Sequence, residues 1–266
     1  MAVESRTVTT RRGIEAKVHT RGDGPPLVWF HGAGGLFPIE PMLDLVAEHH
    51  TVHAAEWPGF GDEQTEGYLE DMLDFTLHGW DLVDAMGLDE TPDVAGHSMG
   101  GMIAAEMASV NPGGVGSLVL VCAAGLWIDE HPVPDIFSML PFELAQVLFA
   151  DPVAGEAILT AGLDFNDDEA LTNFLVLNSR RLGTAGKILF PIPNRRLSKR
   201  LYRVTNPTLL LWGEHDKLVP PVYAERFREL LVSTAAYVET IGGAGHMLPY
   251  EQPEPAARAI VAFLSR

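Results

Sequence analysis

Cysteine is almost missing from this 266-residue chain: Cys122 stands alone, which excludes an internal disulfide. It lies between Val121 and Ala123 at the end of an apolar run, the setting of a buried structural thiol rather than a nucleophile. Lysine is scarce too, with only Lys17, Lys187, Lys199 and Lys217. Lys and Arg together number 18 against 36 Asp and Glu, a formal net charge of −18. With no basic stripe to offset it, such a chain repels nucleic acid and anionic membrane surfaces. No apolar stretch approaches the roughly 20 residues of a membrane helix, so no membrane partner is expected. Met1 to Arg12 carries no apolar signal core, and a cytoplasmic protein is expected. His49, His50 and His53 have no second cluster at ligand-like spacing, so no metal is expected. The dinucleotide and P-loop fingerprints are absent, so no cofactor is expected either. Internal repeats and low-complexity segments are also lacking.

What the chain does have is apolar content, 47% hydrophobic against 20% charged residues, enough for a sizeable core. Thr7–Arg12 and Glu15–Thr20 read as an edge hairpin around Gly13. Leu27–Phe30 is a short apolar run that stops at His31-Gly32-Ala33-Gly34-Gly35, as a buried parallel strand feeding a tight turn does. Strands are expected again at Thr51–Ala55, Thr91–Ala95 and Ser117–Val121. Helices are expected at Tyr68–Met86, through Leu69, Leu73, Leu77, Trp80, Val83 and Met86, and at Met99–Val110. The rhythm then breaks. From Trp127 to Arg203 the chain is proline-punctuated and mostly helical, and alternation resumes with strand Thr208–Trp212, helix Pro220–Val232, strand Ala235–Thr240 and helix Pro253–Ser265. Alternating strands and helices imply an α/β fold, a mainly parallel sheet with helices on both faces.

Gly96-His97-Ser98-Met99-Gly100 fits G-x-S-x-G between an apolar strand and a helix. A strand turning at once into a helix strains the serine backbone, and small neighbours let the chain pass close on either side. The Ser98 hydroxyl then projects at a helix N-terminus, where the Met99 amide can donate to an oxyanion. An N-capping serine in a glycine-rich turn is the bland alternative. Serine needs an oriented base. His246 in Gly242–Met247 is the candidate base, and Asp216, after Thr208–Trp212, is the candidate acid. Each follows the end of an expected strand, where open α/β sheets place their sites.

With those segments in view, the chain resembles the α/β-hydrolase superfamily along nearly its whole length, in particular its capped esterase, haloperoxidase-like and carbon–carbon bond hydrolase branch. The matching stretches are His31–Gly35, Gly59-Phe60-Gly61, Gly96–Gly101, Pro207–Asp216 with Val219-Pro220, and Gly243–His246 with Glu251-Gln252-Pro253-Glu254. The resemblance implies the α/β-hydrolase fold, a mainly parallel eight-stranded sheet with an inserted helical cap. The core is 1–126 and 204–266, the cap 127–203. It implies that Ala33 offers the second oxyanion-hole amide beside Met99. His31 is read as bracing that loop, Glu214 as a surface neighbour of the acid, and His131 and His215 as surface residues.

Serine at position 98 disfavours dehalogenase and epoxide hydrolase chemistry, for which this family needs aspartate there. The favoured reading is a serine esterase acting on a small to medium, largely apolar molecule through an acyl-enzyme on Ser98. The rival is a hydrolase cleaving a carbon–carbon bond in a vinylogous diketo acid. Arg180 or Arg181 would pair with the substrate carboxylate in that case, although such relatives carry Asn where this chain has His97. A ligand-sensing binding protein that retains the three residues is the reading from another class. Substrate contacts are expected from Gly34, His97, Trp127, Phe142, Arg180, Arg181 and Met247, with cap residues such as Phe137, Leu144 and Leu148 packing or lining a pocket. A small ester-like molecule is the expected partner, and the chain is expected as a monomer or homodimer.

Overall fold

The computed structural model describes residues 2–61, 65, 67–139, 141–160, 163–164, 166–190 and 196–266, with the side chains of 141 and 142 outside the description. Eight strands form one sheet: β1 (Glu4–Thr9), β2 (Glu15–Arg21), β3 (Pro26–Phe30), β4 (Thr51–Ala55), β5 (Asp93–His97), β6 (Leu118–Val121), β7 (Thr208–Gly213) and β8 (Ala236–Ile241). Their spatial order is β1-β2-β4-β3-β5-β6-β7-β8. The β1–β2 and β2–β4 pairs are antiparallel and the remaining pairs are parallel. The α/β-hydrolase architecture expected from the resemblance is therefore present. The central strands β3, β5, β6 and β7 are buried almost throughout, as strands covered on both faces must be.

Nine helices accompany the sheet among the described residues: α1 (Pro41–Val46), α2 (Met72–Met86), α3 (Met99–Val110), α4 (Pro141–Leu148), α5 (Pro152–Leu159), α6 (Asp168–Leu189), α7 (Val222–Leu230), α8 (Leu248–Glu251) and α9 (Pro253–Leu264). Helix α1 packs with α9 and α2 with α3, so both faces are covered. Helices α4, α5 and α6 all fall between β6 and β7. Among the described residues no helix is long and apolar enough to cross a membrane.

Three expectations from the pattern need correction. The first strand runs Glu4–Thr9, not Thr7–Arg12, because Thr10 to Gly13 closes the hairpin turn through the Gly13 N–H to Thr10 carbonyl bond. Helix α2 starts at Met72 rather than Tyr68, because the Asp71 side chain accepts the Asp74 N–H and caps it. Its buried face includes Val83 and Met86, as the spacing marks, but excludes Leu73 and Leu77. Leu73 and Leu77 are 59% and 46% exposed, while Phe75, Gly79, Leu82 and Val83 face the core. The centre of that face is Gly79: a Cβ there would sit 2.4 Å from Met107 Sδ, so α3 packs against its bare backbone. A glycine does not register in a hydrophobic pattern.

Candidate active site

Four loops meet at the C-terminal edge of the parallel strands. They follow β3 (His31–Gly35), β5 (Ser98), β7 (Asp216) and β8 (His246). Ser98 has φ 53° and ψ −114°, a strained conformation held at the turn from β5 into α3. The turn closes only because its flanks are glycine: a Cβ on Gly96 would lie 2.3 Å from the Gly100 carbonyl oxygen. Gly213 plays the same part between loops, since a Cβ there would meet the Gly245 carbonyl oxygen at 2.1 Å. Backbone-to-backbone contact there brings the Asp216 turn against the segment that carries His246.

Ser98 Oγ lies 2.8 Å from His246 Nε2, and His246 Nδ1 lies 2.8 Å from Asp216 Oδ2. All three residues are buried. An ionised Asp216 only accepts, so Nδ1 carries the ring proton and Nε2 is left to accept from the serine hydroxyl. The other carboxylate oxygen, Oδ1, accepts the N–H groups of Leu218 (2.9 Å) and Val219 (2.8 Å). Glu251 fixes the base loop from behind. Its Oε2 accepts the Gly245 N–H and its Oε1 the Ala150 N–H, each at 2.7 Å, while the Met247 N–H donates to the Leu148 carbonyl at 3.0 Å. The base loop is thereby joined to the end of α4. The pattern at 251–254 pointed to this residue without showing what it holds.

His31 braces the loop after β3. Trp57 N–H donates to its Nε2 at 3.3 Å, so Nδ1 carries the proton and donates to the Gly32 carbonyl at 2.7 Å. Burial lowers its pKa to about 4 and keeps it neutral. Gly35 N–H also donates to the Gly32 carbonyl, at 3.1 Å. Two donors on one oxygen fix the peptide plane whose other end is the Ala33 N–H. A side chain at Gly32 would come within 3.3 Å of Ser98 Cβ, so this backbone runs beside the serine. Met99 opens α3, and its N–H has no acceptor within the helix.

His97 donates from Nε2 to the His246 carbonyl at 2.8 Å, and burial pushes its pKa down to about 3. Cys122 Sγ lies within 4.8 Å of the Asp216 and His246 ligand atoms. Burial and the Asp216 charge push its thiol well above the ordinary range, so it offers no thiolate to a metal. The neighbouring Glu214 side chain is 56% exposed and faces His215 at 3.6 Å, away from this buried chain.

Above Ser98 lies a cavity of about 430 Å³ with a predominantly apolar lining. Its floor includes Ala33, Ser98 and His246, and its walls include Met102, Leu126, Phe174 and Leu182. Of the expected substrate contacts, Gly34, His97, Arg181 and Met247 line it, as do Phe137, Leu144 and Leu148. Trp127 and Arg180 do not belong to the described lining. Trp127 Nε1 donates to Asp129, and Arg180 reaches the Gly61 carbonyl at 3.4 Å. Consecutive helical residues point about 100° apart, so Arg180 cannot share the direction of Arg181. Arg181 donates from Nε to the Phe60 carbonyl and from Nη1 to the Gly34 carbonyl, both at 3.0 Å. The Phe142 side chain lies outside the described residues.

Comparison with known proteins agrees with this fold. The chain is 27% identical to a 2-hydroxy-6-oxo-6-(2'-aminophenyl)hexa-2,4-dienoic acid hydrolase of Metapseudomonas resinovorans, over 96% of this chain and 89% of that protein. It is 26% identical to Lipase 3 of Moraxella sp. (strain TA144), over 98% and 84% respectively. The crystal structure of a serine hydrolase involved in carbazole degradation superposes with a TM-score of 0.72 and 26% identity, covering 99% of both chains. A family model described as the alpha/beta hydrolase family matches residues 27–259, from β3 through most of α9. With its sheet order, its turn from β5 into α3 and that match over most of its length, the chain belongs to the alpha/beta hydrolase family.

Proposed function

We propose that this hydrolase cleaves carboxylic esters with an apolar acyl group through an acyl-enzyme on Ser98, with residues 127–203 as a cap over the site. The observation that carries the reading is the buried chain Ser98–His246–Asp216, with both links at 2.8 Å, on the floor of an apolar cavity. In the proposed sequence Ser98 Oγ attacks the ester carbonyl carbon while its proton passes to His246 Nε2. The carbonyl oxygen takes the displaced electron pair and accepts from the Ala33 and Met99 N–H groups. Each such donor supplies about 3 kcal/mol of transition-state stabilisation. Collapse expels the alkoxide, which takes the proton from His246 and leaves as the alcohol. Water, giving its proton to His246, then attacks the acyl carbon. The free acid leaves, and the Ser98 hydroxyl is restored. A cavity of about 430 Å³ lies within the range of small-molecule sites, about 300–1,000 Å³.

The rival reading, cleavage of a carbon–carbon bond in a dienoic acid, draws on the likeness to the dienoic acid hydrolase of Metapseudomonas resinovorans. It requires an arginine that holds a carboxylate. Among the described residues Arg181 is the arginine that lines the cavity, and its Nε and Nη1 already serve the backbone carbonyls of Phe60 and Gly34. This weighs toward the ester. The deciding experiment assays p-nitrophenyl butyrate, octanoate and laurate, and in parallel a coloured ring-fission dienoate, with wild type and Ser98→Ala. Ester turnover lost in Ser98→Ala is expected. Turnover of the dienoate alone would replace the ester reading, and a wild type as inert as Ser98→Ala on every substrate would remove both.

A further inference from the structure

Glu40 is a buried acid that the chemistry above does not use. It is 3% exposed, at the end of the loop that follows β3 and directly before α1. Its Oε1 accepts the Phe37 N–H at 2.8 Å, and the Tyr250 hydroxyl lies 2.8 Å from both of its carboxylate oxygens. The Phe37 and Tyr250 rings also meet edge-on, with centroids 5.0 Å apart. Phe37 stands four residues after Ala33 and Tyr250 four residues after His246, and both line the cavity. One carboxyl group thus links the loop with the second oxyanion amide to the loop with the base, across 210 residues of sequence.

The charged and titratable groups facing Glu40 are Tyr250 from α8, Arg21 from β2 and Asp44 from α1. Arg21 Nη1 is bonded to Asp44 Oδ1 at 2.7 Å, so the nearest cation is paired with a different acid. Glu40 is left with two neutral donors, one from each loop. A carboxylate shared between two donors holds both more tightly than a neutral acceptor does.

We propose that Glu40 is a positioning residue, whose carboxylate sets the spacing between the Ala33 amide and His246 by bonding Phe37 N–H and Tyr250 O–H together. The inference rests on the ester reading for its catalytic consequence, while the joining of the two loops can be tested without it. Burial, the largest influence, raises the Glu40 pKa to about 7. The two hydrogen bonds therefore change strength across neutral pH.

The test compares full-length wild type, Glu40→Gln and Tyr250→Phe by hydrogen–deuterium exchange and by hydrolysis of p-nitrophenyl butyrate. Peptides covering 32–40 and 246–252 should both exchange faster in either variant, while the central strands keep their protection. Turnover should fall about tenfold with KM changed less than about threefold, because a shifted donor or base costs the transition state more than the ground state. Wild-type kcat/KM should also show an ionisation near pH 7 that Glu40→Gln removes. Unchanged exchange in either loop overturns the proposal, and so does faster exchange with wild-type kcat. If Glu40→Gln loses protection throughout, Tyr250→Phe decides, since it keeps the ring and removes one hydroxyl. Fluorophosphonate labelling of wild-type Ser98 is the separate control. Without labelling the ester reading falls, and the exchange result still stands for or against the link between the loops.

Discussion

Replacing Asp216 by Asn tests the proposed site without emptying any space, because only one oxygen becomes an NH2 group. Which end of the amide faces which neighbour follows from the hydrogen bonds. The Oδ1 position receives two N–H donors, from Leu218 and Val219, at 2.9 and 2.8 Å. An NH2 group placed there would leave two buried donors without acceptors, at about 1–3 kcal/mol each. The amide oxygen therefore stays on that side, and the NH2 group faces His246 Nδ1. Nδ1 must then accept, which moves the ring proton to Nε2, and Nε2 directs a donor at Ser98 Oγ instead of taking its proton. In the Ser-His-Asp template this wrong tautomer costs about 10⁴ in kcat, or about 5.5 kcal/mol of barrier. Folding should change little, since the backbone donors keep their acceptor. The assay is kcat with p-nitrophenyl butyrate at neutral pH, alongside a thermal melt. A loss below about thirtyfold with an unchanged melt would refute the tautomer argument. Glu214→Gln, two residues away on an exposed side chain, should stay within about twofold of wild type and serves as the control.

Gly100→Ala should destabilise the fold by about 3 kcal/mol or more in urea denaturation, because its Cβ would lie 2.1 Å from the Phe30 carbonyl oxygen and 2.6 Å from that of His31. Wild type should lose stability between pH 5 and pH 8 more steeply than Glu40→Gln. The folded Glu40 keeps a proton up to about pH 7 that the unfolded chain releases near 4.5, so rising pH removes up to about 3 kcal/mol over that window. Denaturation midpoints at the two pH values check the slope. Ser5→Ala should leave ester hydrolysis within about twofold of wild type, although Ser5 Oγ lies 2.7 Å from His19 Nδ1 and His19 Nε2 lies 3.1 Å from Glu56. That second serine–histidine–carboxylate row is partly exposed and runs across the sheet from β1 through β2 to the residue after β4, so its serine lies within a strand rather than at the start of a helix that could supply an oxyanion donor.

The Ser5 row shows why the residues around 98, 216 and 246 were legible in advance and others were not. Each of those three sits in a local pattern, a short apolar strand followed by a glycine-rich turn, and both strand and turn leave marks within a few residues. Glu40 and Tyr250 lie in no such pattern; what joins them is three-dimensional and spans most of the chain. The same distinction separates Arg181 from Arg180. Adjacent arginines in sequence were equal candidates until helix α6 turned one toward the cavity and the other toward Gly61. Helix α1 went unread because six residues beginning with proline carry too little periodicity to register. On helix α2 the spacing marks Val83 and Met86, which are buried, together with Leu73 and Leu77, which are exposed; the first turns pack instead through Phe75 and Gly79, and a glycine offers no side chain to count.

Glu251 bears on how this architecture can be recombined. The segment between β6 and β7 is anchored at two places. Helix α6 gives much of its apolar side to the cavity and donates from Arg180, Arg181 and Lys187 to the carbonyls of Gly61, Phe60, Gly34 and Leu69, whereas the end of α4 shares hydrogen bonds with the base loop at Leu148, Ala150, Met247 and Glu251. A graft that exchanges α6 for the corresponding helix of a relative alters the wall that a ligand meets. A graft that also takes residues 148–150 removes the buttress of His246 unless it brings its own partner for Glu251. A graft meant to keep the Glu251 and Met247 hydrogen bonds therefore begins after Ala150.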